Sequence, residues 1–247
     1  MGDGLIWKCN LCDSKNDSVW ELLVREGPSC QKCGSSVRQR HLLFVLGRNL
    51  SLLSRLRLKK DSVIGLSDAP LVESLLTKDR RFTYTNTFFD EDPRLDVANV
   101  STFWTDKASI LISSDVLEHV FFPISKSIMG HLQILKPGGL LILTIPYSES
   151  MPNQEHYPWM TAYTAFKQET GVWGVRGITA QGEERIVPNP VFHGGPGNTL
   201  EMRLMNKNNL RGELLGAGFT DVVFHEEDVR KHGIRIQLAV ITARKPK

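Results

Sequence analysis

Between residues 110 and 146 the pattern of apolar and polar residues changes from that of a strand to that of a helix and back to that of a strand. The segment 110–116 reads Ile-Leu-Ile-Ser-Ser-Asp-Val, which predicts a buried strand that ends on polar residues. Fourteen residues separate Val120 from Leu135, enough for a helix, and a Lys-Pro-Gly-Gly turn then leads into a second apolar run. Strand, helix and strand in this order form the unit of a doubly wound sheet. We therefore predict an α/β fold with ligands at the carboxyl ends of its strands.

The rest of the chain extends this pattern. Apolar residues between positions 42 and 53 recur at helical spacing and predict a helix packed on the sheet. Two shorter helices are predicted over 71–77 and 208–215, and the second ends at a glycine-containing cap. With the two strands above, the pattern predicts seven strands, the others being 61–68 with its loop, 82–89, 95–100, 219–224 and 236–243.

Residues 147–198 interrupt this rhythm. They contain seven glycines, five prolines, two tryptophans and two histidines, with little periodicity. An irregular segment of this length within a domain is usually functional, so we predict that it covers the substrate. The alternative is a surface insertion with a small hairpin of its own.

Composition limits the class of protein. The chain has 247 residues, of which 41% are hydrophobic and 23% charged, as in ordinary globular proteins. The sequence has neither an apolar run of membrane-spanning length nor an apolar signal core near Met1, so we expect a cytoplasmic protein. The net charge is only +3, but residues 1–60 carry +6 and residues 61–247 carry −3. The basic part could favour an anionic partner such as RNA, or it could simply be a solvated helix face.

All four cysteines lie near the start of the chain, as Cys9-Asn-Leu-Cys12 and Cys30-Gln-Lys-Cys33. Two pairs with this spacing can present four thiolates to one zinc ion. The alternative, free or disulfide-bonded cysteines, is less favoured because the absence of a signal peptide indicates a reducing compartment. Four thiolates leave no open position on the metal, so we predict a structural zinc. A module of roughly 35 residues around these cysteines is also too small to fold on apolar burial alone, so a bound zinc would supply the missing stability.

The motifs Leu117-Glu-His-Val120 and Leu135-Lys-Pro-Gly-Gly resemble the late half of the class I S-adenosylmethionine-dependent methyltransferases. Over residues 5–245 the chain is similar to a bacterial subfamily with a four-cysteine zinc ribbon in front, as in Gly65-Leu-Ser-Asp and Glu155-His-Tyr-Pro158. The resemblance implies a seven-stranded Rossmann-like sheet. It also implies a zinc ribbon over 1–37, a methyltransferase domain over 38–247 and a substrate-covering insertion over 147–198.

The resemblance also implies where the cofactor binds. The first strand and its loop would face the amino-acid part, the end of the second strand the ribose, the following polar position the adenine, and the loop after the fourth strand the sulfonium. The corresponding residues are Gly65, Leu66, Ser67, Asp68, Asn86, Thr87, Asn99, Ser114, Asp115 and Val116. Two positions depart from the family pattern: the first loop has a single glycine, and the usual acid of the second strand is replaced by Asn86 or Thr87.

Methyl transfer to a hydroxyl or amine requires removal of a proton, and histidine is the natural base at neutral pH. We predict that His156 or His193 is the base, because both lie in the irregular segment where this fold places its acceptor. Tyr147 would orient the acceptor, while Trp159 and Tyr157 could stack on a sugar or base. His119 belongs to the recurring Leu-Glu-His pattern, and we interpret it as structural.

Three functions fit these features. The first is methyl transfer to a small-molecule or glycan-type acceptor, which the long covering segment favours because a closed pocket suits a small acceptor. The second is an RNA-modifying methyltransferase whose basic zinc ribbon binds phosphates. The third is a non-catalytic domain that keeps the fold, which the glycine-poor first loop suggests. The sequence leaves the methylated atom and the oligomeric state open.

Overall fold

The structure is a computed structural model that describes residues 4–27, 29–56, 58–193, 195, 197 and 199–247. The first part of the chain forms β1 (Gly4–Lys8), β2 (Lys15–Val19), α1 (Val37–Asn49) and α2 (Leu52–Arg55). The middle part forms β3 (Asp61–Leu66), α3 (Pro70–Lys78), β4 (Phe82–Thr87), β5 (Ala108–Ser114), α4 (Ile124–Ile134) and β6 (Leu135–Thr144). None of the helices within the described ranges is long and apolar enough to cross a lipid bilayer.

The remaining elements begin with the predicted insertion. Eight short strands follow β6: β7 (Tyr147–Ser148), β8 (Gln154–Glu155), β9 (Met160–Lys167), β10 (Trp173–Thr179), β11 (Glu184–Val187), β12 (Phe192–His193), β13 (Thr199–Leu200) and β14 (Arg203–Asn206). The chain ends with α5 (Lys207–Gly216), β15 (Thr220–His225) and β16 (Val240–Arg244). Single turns of 3₁₀ helix cover Trp20–Leu22, Thr102–Trp104 and Arg230–His232.

The central sheet has the strand order β15-β16-β6-β5-β3-β4. Strands β4, β3, β5 and β6 are parallel, whereas β16 pairs antiparallel with both β6 and β15. The chain leaves β3 towards β4 on one side and returns to β5 on the other. In open α/β sheets a ligand crevice opens at such a switch point, beyond the carboxyl ends of the two strands. We call the carboxyl ends of β3 and β5 the switch-point edge.

The predicted third strand over 95–100 is wrong, and in the described part of the chain the central sheet has six strands rather than seven. The alternating apolar residues of this segment do become buried, but against α4 and not in a sheet. Leu95 and Val97 belong to the core on that face, and the carbonyl of Val97 lies against Gly130 of α4. A side chain at Gly130 would collide with that carbonyl, so glycine permits the close packing that replaces strand pairing.

The insertion is more regular than its composition indicates. Strands β9, β10 and β11 form a three-stranded antiparallel sheet with its own apolar cluster around Met160, Val175, Leu200 and Met202. The structure therefore resembles the alternative prediction, an insertion with its own hairpin, more than it resembles an irregular segment. Its ends are fixed to the main fold because β14 pairs with both β7 and β8.

The last predicted strand begins at Val240 rather than at residue 236, because the segment before it contacts the N-terminal part of the chain. Ile234 is fully buried in the cluster that contains Trp7 and Trp20. The backbone carbonyl of Lys8 lies 2.9 Å from Nδ1 of His232. Residues 229–237 therefore form the surface against which the cysteine-containing hairpin packs.

Arg40, on α1, joins these two parts of the chain. Its side chain is fully buried with its guanidinium 4.3 Å from the ring centre of Trp7. Nη1 donates to the carbonyl of Ser35 at 2.7 Å, Nε to that of His232 at 3.1 Å, and Nη2 to that of Gly233 at 2.7 Å. The planar fork of arginine can satisfy three carbonyls at once, which lysine cannot.

We predict that Arg40→Met lowers the free energy of unfolding by about 2 kcal/mol or more. The substitution removes the donor of the His232 and Gly233 carbonyls, whereas the Ser35 carbonyl keeps the backbone N–H groups of Ser29 and Cys30. Each unsatisfied group costs about 1–3 kcal/mol. Urea unfolding followed by circular dichroism measures the loss. The matched control is Arg48→Met on the exposed side of the same helix. An equal, small loss in both variants would contradict the role given to Arg40.

Candidate functional site

The four cysteines converge as the sequence predicts. Their sulfur atoms all lie within 4.8 Å of one another, with 3.8 Å between Cys9 and Cys33 and 3.6 Å between Cys12 and Cys30. Zinc–sulfur bonds of about 2.3 Å in a tetrahedron place sulfur atoms about 3.8 Å apart, so this arrangement has the size of a tetrathiolate zinc site. The structure contradicts disulfides between these residues, since all four are free.

The surroundings favour thiolate at one position and oppose it at its neighbours. Burial works against ionisation of Cys30, but backbone N–H groups of Cys33 and Lys32 and the hydroxyl of Ser14 lower the pKa of its thiol to about 5. Burial raises the pKa of both Cys9 and Cys33. Four adjacent thiols can all ionise only beside a cation, which is the chemistry of a metal site.

The first loop of the switch-point edge is built around a buried carboxylate. Ser67 is exposed and has a left-handed backbone with φ 53°, a conformation that non-glycine residues adopt at a cost. Asp68 follows it, only 5% exposed, and accepts a 2.8 Å hydrogen bond from the hydroxyl of Tyr84. A side chain at Gly65 would collide with both Asp68 and Tyr84, so the single glycine of this loop is required. Burial raises the pKa of Asp68 to about 7.

Asn86 and Thr87, at the end of β4, hold this loop in place. The Asn86 amide accepts from the backbone N–H of Asp68 at 2.9 Å and donates to the carbonyl of Asp68 at 3.1 Å and to Glu73 at 3.2 Å. The hydroxyl of Thr87 donates to the carbonyl of Gly65 at 2.8 Å. Their position at the edge agrees with the sequence, but these groups shape the loop, and a ribose contact stays a prediction.

The second loop of the edge carries Ser114 and Asp115. Asp115 also has a left-handed backbone, with φ 55°, and its carboxylate accepts a 2.8 Å hydrogen bond from the hydroxyl of Thr144. Arg25 binds the same carboxylate with two nitrogens at 3.0 and 2.6 Å, and Arg38 approaches it at 3.3 Å. Arg38 also donates to the hydroxyl of Ser114 at 2.5 Å. Hydrogen bonds from Arg25 and its positive charge keep the pKa of Asp115 low although burial opposes this.

The other predicted cofactor residues are placed differently. Leu66 is buried in the core and Val116 packs against it, so they could border a ligand mainly through their backbones. Asn99 is exposed in the segment that crosses α4, and its backbone N–H donates to the carbonyl of Asp96 at 3.1 Å. In the described ranges, no side-chain hydrogen bond joins Asn99 to the residues of the switch-point edge.

Two of the predicted catalytic residues do lie together, and they share a carboxylate. Nε2 of His156 lies 3.0 Å from one oxygen of Glu201, and Nε2 of His193 lies 2.7 Å from the other. His119 stacks edge-on against His193 with ring centres 5.0 Å apart, and its Nδ1 lies 2.8 Å from the carbonyl of Leu200. We call His119, His156, His193, Glu201 and the neighbouring Glu118 the histidine group.

The aromatic candidates are engaged within the protein. Tyr147 packs edge-on against Phe224, and its hydroxyl accepts from the backbone N–H of Ala239 at 3.1 Å. Trp159 lies against Gly177, and the guanidinium of Arg185 is 5.2 Å from its ring centre. Tyr157 and Trp159 belong to the apolar cluster of the insertion. These contacts do not support stacking of Trp159 on a sugar.

Sequence reasoning missed Arg25, Arg38, Glu118 and Glu201. No local pattern marks the two arginines, because they reach Asp115 across 90 and 77 residues of chain. Glu118 stands inside the recognised Leu-Glu-His motif, and its burial on a loop between strand and helix could have drawn attention to it. Glu201 gives no signal until the insertion folds back.

No family model and no curated protein matches the chain. Among solved structures, the chain is similar to the CurJ carbon methyltransferase, with 13% identity and a TM-score of 0.50, over 86% of this chain. It spans 56% of the length of that protein. It is also similar to 1,6-didemethyltoxoflavin-N1-methyltransferase of Burkholderia thailandensis, solved with 1,6-didemethyltoxoflavin and S-adenosylhomocysteine, with 13% identity, a TM-score of 0.45, and coverage of 85% and 88% of the two chains. The first likeness shows that this chain has a methyltransferase fold.

We predict that Asp68→Asn stabilises the protein at alkaline pH. The pKa of Asp68 is raised in the folded state, so the folded protein binds more protons than the unfolded chain between about pH 4 and 7. The wild-type protein therefore loses stability as pH rises through this window, and the neutral variant does not. Each pKa unit corresponds to about 1.4 kcal/mol, so the gain above pH 8 should be about 2–4 kcal/mol.

Urea unfolding at pH 5 and pH 8 measures this difference. Asp221→Asn is the control, because Asp221 is exposed, so its pKa should be little affected by folding. A gain at pH 8 that is equal in both variants, or equal at both pH values, would contradict a buried, proton-binding Asp68.

Proposed function

We propose that this protein is an S-adenosylmethionine-dependent methyltransferase for a small-molecule or glycan-type acceptor, with a structural zinc ribbon. The observation that carries the proposal is the pair of carboxylates, Asp68 and Asp115, on the two loops of the switch-point edge. The methyltransferase fold supports it, because ligands of open α/β sheets bind at this edge.

The residues of the edge fit the charges of the cofactor. The amino-acid part of S-adenosylmethionine carries an ammonium, and its sulfur is a sulfonium, so carboxylates are suitable partners for both. Asp68 is suited to the ammonium because it is buried and its pKa is about 7; a cation beside it would favour the ionised form. When bound, the cofactor supplies a methyl group for in-line displacement.

The histidine group is the proposed site of proton removal. Glu201 orients both His156 and His193, and a carboxylate that fixes a histidine in this way favours one tautomer. The side chains of both histidines are partly exposed, at 22% and 33%, so an acceptor can reach them. The covering sheet of β9, β10 and β11 belongs to the same insertion and would limit access of water.

The arginine contacts favour a small acceptor over RNA. Arg25, Arg38 and Arg40 contribute to the basic balance of residues 1–60, but their side chains bind carboxylates and carbonyls within the protein. They are therefore not free to contact phosphates. RNA modification stays the second candidate, carried only by the other basic residues of this part of the chain.

A structural zinc completes the proposal. The four sulfur atoms have the separations of a tetrathiolate site, and a filled shell leaves no position for substrate. The metal would hold the hairpin of β1 and β2 against residues 229–237. We place the boundary between this ribbon and the methyltransferase domain at residues 37 and 38, and we expect the protein in the reducing cytoplasm.

Calorimetry with S-adenosylmethionine tests the function. We expect saturable binding by the wild-type protein and affinity lowered about 10- to 100-fold in Asp68→Asn and in Asp115→Asn. Loss of a hydrogen bond to a charged group costs about 1.5–3 kcal/mol, which corresponds to this range. Asparagine tolerates the left-handed backbone at position 115, and circular dichroism of each variant before the titration checks that the fold persists without the carboxylate.

Asp221→Asn serves again as the control and should bind like the wild-type protein. Unchanged affinity in both edge variants would refute the placement of the cofactor. No binding by the wild-type protein would instead favour the non-catalytic alternative.

Elemental analysis tests the zinc site. After prolonged dialysis against a weak chelator, we expect about one zinc per chain in the wild-type protein and almost none in Cys12→Ser. Structural zinc typically contributes about 10–16 kcal/mol of binding free energy, so a strong chelator should also change the fluorescence of Trp7 and Trp20, which share the cluster of the cysteines. A wild-type protein without zinc, or with two disulfides by mass, would end this part of the proposal.

A further inference from the structure

Glu118 is a buried carboxylate to which the proposed methyl transfer gives no role. Its side chain is completely buried, and among the described residues neither carboxylate oxygen has a hydrogen-bond partner. A buried carboxylate without a partner is among the most costly groups in a protein, since burial removes its hydration. The negative charge of Asp115 adds to this cost.

Two histidine nitrogens point to the same carboxylate. Nε2 of His119 lies 3.8 Å and Nδ1 of His193 lies 3.9 Å from Oε1 of Glu118. These separations are too long for hydrogen bonds, so the three atoms face each other without being bonded. All three lie within 4.8 Å of one another.

The outer hydrogen bonds determine which ring nitrogens carry protons. Nδ1 of His119 faces the carbonyl of Leu200, which can only accept, so this nitrogen carries the hydrogen and Nε2 keeps its lone pair. Nε2 of His193 faces the carboxylate of Glu201, so this nitrogen carries the hydrogen and Nδ1 keeps its lone pair. Metal-binding histidines are oriented in the same way, by a carbonyl or carboxylate on the other nitrogen.

We propose that Glu118, His119 and His193 bind a divalent first-row transition-metal ion, at a second metal site distinct from the four cysteines. Two imidazoles and a carboxylate suit zinc, iron, manganese or cobalt better than magnesium or calcium, which prefer oxygen ligands. Metal–ligand bonds of about 2.1 Å require ligand atoms about 3.0–3.4 Å apart, so the two distances from Glu118 to the histidine nitrogens would shorten by about half an ångström when the metal binds.

Three protein ligands leave coordination positions open, as in catalytic metal sites. An acceptor hydroxyl bound there would be more acidic, because the cation stabilises the alkoxide. Since the metal takes Nδ1 of His193, His156 is left as the base of the pair. This catalytic role rests on the proposed methyl transfer, whereas binding of the metal does not.

Titration with Mn²⁺ tests the site in protein that has been dialysed against a weak chelator until one zinc per chain, held by the cysteines, remains. Thiolates prefer zinc and manganese binds most weakly in the divalent series, so Mn²⁺ should leave the cysteine site undisturbed. Electron paramagnetic resonance measures the free ion. We expect one equivalent of saturable binding in the wild-type protein, and affinity lowered at least 10-fold in Glu118→Gln and in His193→Ala.

The control is His225→Ala, another partly buried histidine whose ring bonds to Thr242 at 2.9 Å, away from the histidine group. It should bind Mn²⁺ like the wild-type protein. Co²⁺ added to the same zinc-loaded samples should give d–d absorption without thiolate charge transfer, which distinguishes this site from the cysteines. The proposal is overturned if wild-type protein binds neither ion saturably, or if both ligand variants bind as tightly as the control. Neither readout uses the cofactor, so the metal site can be confirmed or refuted even if the protein transfers no methyl group.

Discussion

The carboxylate of Asp115 holds together parts of the chain that are far apart in sequence. It accepts two hydrogen bonds from Arg25 of the cysteine-containing region, is approached by Arg38 of α1, and accepts another from Thr144 at the end of β6. The carboxylate is only 18% exposed, so the bidentate geometry and the additional hydroxyl are needed to offset desolvation. The left-handed backbone at this residue is maintained because these contacts determine it.

The same edge contains carboxylates that the arginines do not satisfy. Within the described ranges, the carboxylate of Asp68 accepts a hydrogen bond only from the hydroxyl of Tyr84, and neither carboxylate oxygen of Glu118 accepts a hydrogen bond. A protein can tolerate such groups if they are protonated or if a cation arrives. The two proposals assign a different cation to each: the ammonium of the cofactor to Asp68 and a metal ion to Glu118. The stability lost in burying them would be recovered on binding, so the edge is organised for positively charged ligands.

The sequence predicts the central sheet well where periodicity and turn chemistry act together. Buried strands, the Lys-Pro-Gly-Gly turn and the spacing of the cysteines are local signals, and β3, β4, β5, β6 and the four converging sulfur atoms are confirmed. The segment 95–100 has the alternation of a strand, but Gly130 opens a closer packing against α4 that no local pattern reveals. Arg25 and Glu201 act across about 90 and 45 residues, so their roles appear only when the fold brings the partners together.

The cysteine-containing region is part of the proposed site even though its metal would be structural. Arg25 lies five residues before Cys30, its backbone N–H donates to Gln237 at 2.8 Å, and Arg40 links α1 to His232 and Gly233. The position of the Arg25 guanidinium therefore depends on the packing of the cysteine-containing hairpin against residues 229–237. Loosening the hairpin would free Arg25 and leave Asp115 without its main counter-charge. If both proposals hold, the charge balance of the cofactor edge would depend on a zinc site that touches no substrate, which gives a physical reason for joining the two in one chain.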